Sequence, residues 1–162
     1  MKKGFLFLLF AITGTLFVAT SLIVSPDAGA GSVSPADRLS ITGASYSGQW
    51  KGNDLTVEYS YSRDQGQIDL SGNIRFADFM VLGYSNLMYF RLGAVFTDEN
   101  GRVIKEIGLV TNRDAFEPIP FHRKISVPPN AVSMAFSYDG KAVESGNDGG
   151  SGLTAFWHYP IR

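Results

Sequence analysis

LTVEYSYSRDQGQIDLSGNIRF, Leu55 to Phe76, decides the fold. Leu55, Val57, Tyr59 and Tyr61 alternate with Thr56, Glu58, Ser60 and Ser62. A period of two puts the apolar side chains on one side of an extended chain and the polar ones on the other, as in a strand with one dry and one wet face. Gln65-Gly66 interrupts the run, and Ile68, Leu70, Ile74 and Phe76 resume it around Gly72, so the two halves are expected to form a hairpin.

The same alternation extends in both directions. Upstream, Leu39 to Ile41 continues past Gly43 into Ala44 and Tyr46 with a change of parity, which reads as a bulge at the glycine, and Gly52-Asn53-Asp54 reads as a turn. Downstream, Ala77 to Asn86 is a connection whose apolar patch, Phe79 to Leu82, is expected to tuck under the sheets. Met88, Phe90, Leu92, Ala94 and Phe96 then mark one face of the longest strand, and Asp98-Glu99-Asn100-Gly101 turns it back into Arg102 to Val110. After a proline-containing loop from Asn112 to Pro120, Phe121, Ile125 and Val127 are in phase. Val132, Met134, Phe136 and Tyr138 form the next apolar face, with Asp139-Gly140 read as its turn, and a glycine-rich loop leads to a terminal strand from Leu153 to Tyr159.

About eight strands bounded by turn residues predict an all-β chain: a single antiparallel β-sandwich, immunoglobulin-like or jelly-roll-like, over residues 39–162 behind a linker at 31–38. No capped segment of period 3.6 and no internal repeat follows the leader.

That leader is read from its charge pattern. Lys2 and Lys3 precede a stretch without charge from Gly4 to Val24, Pro26 ends it, and Ala28-Gly29-Ala30 offers the small residues a signal peptidase needs. Cleavage after Ala30 is one reading. The length of the run, which as a helix spans roughly 30 Å, supports the other, an uncleaved N-terminal membrane anchor. Both expect residues 31–162 outside the cytoplasm, periplasmic or secreted, with membrane contact only through residues 4–24 if the leader is retained.

Composition narrows the chemistry. Fourteen basic and fifteen acidic residues give a net charge of −1, and the longest basic cluster is only His122-Arg123-Lys124, so nucleic acid is not an expected partner. The absence of cysteine removes disulfides, thiolate metal sites and cysteine nucleophiles. The two histidines, His122 and His158, lack metal-ligand spacing, and the Asp98 to Gly101 turn has its glycine too early for a calcium loop of the EF type. Ser151 in Gly149-Gly150-Ser151-Gly152 lacks the spacing of a nucleophile elbow. No metal, cofactor or catalytic residue is expected.

Four consecutive rings, Phe156, Trp157, His158 and Tyr159, follow the glycine-rich loop. Flat rings beside small polar loop residues can stack sugars or grip peptides. Trp50, Trp157, His158 and Tyr159 are therefore the candidate ligand-binding residues, although tryptophans also plug sandwich cores. The expected arrangement has Trp157 and Tyr159 in the core, with Phe156 and His158 on the outer face or under a loop. The functional expectation is a non-enzymatic binding or accessory module that contacts a protein or envelope surface. The alternatives are a carbohydrate-binding module using exposed rings and a small hydrolase using a carboxylate pair.

Overall fold

The computed structural model describes residues 31–145 and 152–162; the leader and the middle of the glycine-rich loop lie outside them. The described chain is all-β, with two antiparallel sheets. One holds β2 (Ser45–Lys51), β3 (Leu55–Asp64), β4 (Gln67–Phe76) and β7 (Ile119–Ser126) in the order β2-β3-β4-β7. The other follows the order β1-β8-β5-β6: β1 (Leu39–Ser40), β8 (Ser133–Glu144), β5 (Tyr84–Thr97) and β6 (Val103–Asn112). β9 (Leu153–His158) completes it, paired with β8 on the side that β1 also uses.

The hairpin read from Leu55 to Phe76 is present, with Leu55 opposite Phe76 and Asp64 opposite Gln67. Its two-residue turn carries positive φ at Gln65 (44°) and Gly66 (80°), the turn whose twist suits a tight hairpin. The inward residues of both sheets meet in one core. Phe90, Phe96 and Phe136 are its largest fully buried side chains. Phe90 lies edge-on to Phe76 (ring centroids 5.1 Å apart), stacked on Phe156 (6.3 Å) and tilted against Tyr138 (6.3 Å). Phe136 makes the corresponding contacts with Trp50 (5.6 Å) and Tyr59 (5.3 Å).

Four local expectations are corrected. The parity change at Gly43 marks no bulge: β1 belongs to one sheet and β2 to the other, so Thr42-Gly43-Ala44 carries the chain across the sandwich. Asp139-Gly140 is not a turn but lies within β8, where Gly140 opposes both Phe90 and Phe156. A Cβ built there would stand 2.2 Å from the Phe156 ring, so the glycine is demanded by a close approach rather than by a reversal of direction. Met88 is exposed because the β5–β8 register slips between Leu87 and Tyr89, which turns Leu87 and Phe90 inward together. Finally, the Phe79 to Leu82 patch forms part of a short helix, α1 (Asp78–Gly83), that buries only Met80; Phe79, Val81 and Leu82 stay exposed.

Among the described residues, the outer face of the five-stranded sheet is covered at one end only. Ser32 and Val33, within the stretch expected to be a linker, bridge to Arg102 and Ile161. With Val103, Val33 and Ile161 seal Val95 and Ala135 from solvent. Among the described residues, the rest of that face is open.

Tyrosines in the interior give the fold an alkaline limit. Burial, aided by Tyr46 and Tyr61, pushes the Tyr59 hydroxyl up to about 12. Burial, followed by its hydrogen bond to Asp54 (2.6 Å), raises Tyr138 in the same direction. The unfolded chain releases these protons near 10. Stability from this source is therefore complete below pH 10 and is lost as the pH rises from 10 towards 12. Thermal melts across that window are expected to show a falling midpoint, with a shallower fall in Tyr59→Phe; an unchanged slope in that variant would remove Tyr59 as a cause.

Candidate functional site

The pairing of β9 with β8 places the terminal rings. Gly140 and Tyr138 lie on the core side of β8, and their partners are Phe156 and His158. Phe156 is therefore buried, and His158 turns inward to stack against Tyr138 (5.8 Å) and meet Trp50 edge-on (5.1 Å). Leu153, Ala155, Trp157 and Tyr159 point outward, with Trp157 67% exposed and Tyr159 56%. This reverses the expected arrangement, in which Trp157 and Tyr159 filled the core. Both parities of the strand carry rings, so alternation alone could not choose between them, and the glycine on the neighbouring strand makes the choice.

The four candidate ligand-binding residues are thereby divided. Trp50, 8% exposed, and His158 belong to the edge of the core, where Nε2 of His158 is buried without a hydrogen-bond partner among the described residues. Trp157 and Tyr159 belong to the outer face.

Around those two rings the sheet register assembles polar groups that no spacing in the sequence brings together. Trp157 pairs with Asp139, Asp139 with Arg91 and Arg91 with Thr111, which forms a transverse row over four strands. Arg91 donates from Nε and Nη2 to the Asp139 carboxylate (3.0 and 2.7 Å), a forked ion pair that raises the guanidinium pKa. The same guanidinium lies 5.6 Å from the ring centre of Tyr89, in the adjacent row. On the other side, Tyr159 donates its hydroxyl to Glu106 (2.7 Å), and Ser137 donates to the second oxygen of that carboxylate (3.0 Å). The bond to Glu106, then partial burial, raises the Tyr159 pKa.

Two clefts adjoin this row. One, about 330 Å³, lies between the Arg91–Asp139 pair and the Glu106–Tyr159 pair, over a floor where Gly93 is paired with Gly108. The other, about 640 Å³, lies between Tyr89, Arg91, Thr111 and Arg113. Arg91 lines both. Tyr89, Arg91 and Gly93 are the wet-face residues interleaved with Phe90, Leu92 and Ala94 on the longest strand, and that alternation was the available signal for them. Asp139 was hidden by being read as part of a turn.

The opposite outer face differs in kind. Thr56, Glu58, Ser60, Ser62, Asp69, Ser71, Asn73, Arg75, His122 and Lys124 populate it, with ion pairs from Arg75 to Glu58 and His122 to Asp69, and among the described residues it carries no phenylalanine, tyrosine or tryptophan. Among the described residues, no group of three histidine, aspartate or glutamate side chains is placed to hold a metal ion. No protein-family model matches the chain, and comparison with curated proteins finds no match.

Proposed function

We propose that this chain is a non-enzymatic, extracytoplasmic binding module whose contact surface is the open outer face of the five-stranded sheet, and that its ligand is a carbohydrate chain. The observation that carries the reading is Trp157, two-thirds exposed on a strand whose adjacent ring, Phe156, is buried. An indole left in water beside fixed polar groups is a platform for the apolar face of a sugar. The forked Arg91–Asp139 pair offers donors and acceptors to neighbouring hydroxyls, and the glycine floor lets a ring approach the backbone. Trp157 and Arg91 lie two strands apart, about 10 Å, so an extended glycan lying across the strands meets both. The export part of the reading rests on the charge-free run from Gly4 to Val24, as a signal peptide or a retained anchor.

Glu106 and Asp139, the acids in the smaller cleft, are each engaged, one by two hydroxyl donors and the other by a guanidinium. Such partners orient a binding face, which favours recognition over hydrolysis. Exposure of Phe79, Val81 and Leu82 on α1 favours a second reading, contact with a protein partner at that end of the sandwich.

The test is a glycan array followed by titration of the full chain with the glycans that bind. Trp157→Ala is expected to weaken binding at least about tenfold, equivalent to about 1.4 kcal/mol, whereas Trp50→Phe leaves it within about twofold. Fluorescence of the two single-tryptophan variants should separate the rings: Trp157 emitting at long wavelength, readily quenched and shifted by ligand, Trp50 blue-shifted and protected. An array without hits, or equal quenching of both rings, would sink the proposal.

A further inference from the structure

Strand β9 forms a border of the five-stranded sheet among the described residues. The hydrogen bond from the Glu144 N–H to the Gly152 carbonyl (2.9 Å) sets the phase of its pairing with β8. By alternation, Thr154, Phe156 and His158 direct their backbone groups at β8, whereas the N–H and C=O groups of Leu153, Ala155 and Trp157 point off the sheet.

An edge of this kind is a template for another strand unless something blunts it. The other borders are blunted. β7 carries Pro120, Arg123 and Lys124; β6 carries Lys105 and Glu106, and its Leu109 carbonyl accepts a hydrogen bond from Arg123 (2.8 Å). β2 is polar, ends in Lys51 and folds the Tyr46 ring over Gly48. β9 reads Leu-Thr-Ala-Phe-Trp-His, with no lysine, proline or acid.

We infer that this edge pairs with the same edge of a second copy, antiparallel about a twofold axis at Phe156, so that two five-stranded sheets become one. Self-pairing suits the strand better than pairing with a foreign one for two reasons. Like charges cannot oppose each other across the axis, because the strand has none. The register centred at Phe156 also sets each Trp157 against the small Ala155 of the other copy, so the large and small outward side chains on either side of the axis are complementary. The two outer faces then become continuous, with both Trp157 rings near the axis. The inference is independent of the ligand class proposed above.

Sedimentation of the full chain, in detergent where the leader requires it, is expected to show a monomer–dimer equilibrium over micromolar concentrations. Ala155→Pro removes one outward N–H and no bond to β8, and Ala155→Lys places a charge beside the axis. Each should raise the dimer dissociation constant at least about tenfold, while the far-ultraviolet circular dichroism stays that of the parent. Wild-type chain that stays monomeric at several hundred micromolar overturns the inference, as does a dimer indifferent to both substitutions. A different protein held stoichiometrically and released by Ala155→Pro overturns it too, since the occupant of the edge would then be a foreign strand.

Discussion

Replacing Phe90 with alanine is expected to destabilise the domain by about 3–5 kcal/mol, the usual cost of removing a fully buried phenylalanine and leaving a partly relaxed cavity. Phe90 is 0% exposed and touches three other rings, Phe76 from the four-stranded sheet and Tyr138 and Phe156 from its own. Its loss therefore opens a cavity between the sheets and loosens the seat of β9 as well. Urea titration should show a lower midpoint with little change in slope. A loss below about 1 kcal/mol would mean that the sheets close over the gap far more freely than packed interiors usually do.

The second large effect comes from adding atoms. Gly140→Ala brings a methyl group to 2.2 Å from the tip of the Phe156 ring. That ring cannot swing aside freely, because Phe90 stacks on it, Phe76 meets it edge-on at 6.2 Å and Tyr138 tilts against it at 6.3 Å. Overpacking of this sort costs about 1–3 kcal/mol, even though alanine suits a strand better than glycine. The diagnostic measurement is a double-mutant cycle with Phe156→Leu, whose shorter side chain vacates the disputed space. The cost of Gly140→Ala should fall by about 1 kcal/mol or more in that background. Additive effects would show that the glycine is needed for some other reason.

Gly140 also shows where the sequence was legible. The architecture could be read because Leu55 to Tyr61 alternate without a break and Ile68 to Phe76 with only Gly72 interposed, and alternation is the direct imprint of one wet and one dry side. What could not be read were facts held by two strands at once. Asp139-Gly140 has the composition of a turn, yet β5 and β9 hold it straight from either side. The inward parity of β9 was undetermined because Phe156 and Trp157 are both large apolar rings, and only the space above Gly140 selects Phe156. Gly43 looked like a local irregularity in one strand, whereas the chain passes between sheets there, a long-range choice that no short window records. For the same reason, Trp50 and His158 lie at the edge of the core while Trp157 and Tyr159 lie on the outer face. Neighbours in sequence along a strand face opposite ways, and the polar partners of Trp157 come from β5, β6 and β8.

The two ends of the described chain are bound to each other. Ser32 and Arg162 exchange backbone hydrogen bonds of 3.2 and 2.9 Å, and Val33 bridges to Ile161. Any polypeptide leading into Gly31 or continuing from Arg162 is thus attached at a single corner. Such a unit suits insertion into a surface loop of a host protein, and a short peptide could join its ends so that new termini are opened at the Gln65-Gly66 turn with every strand left in its place.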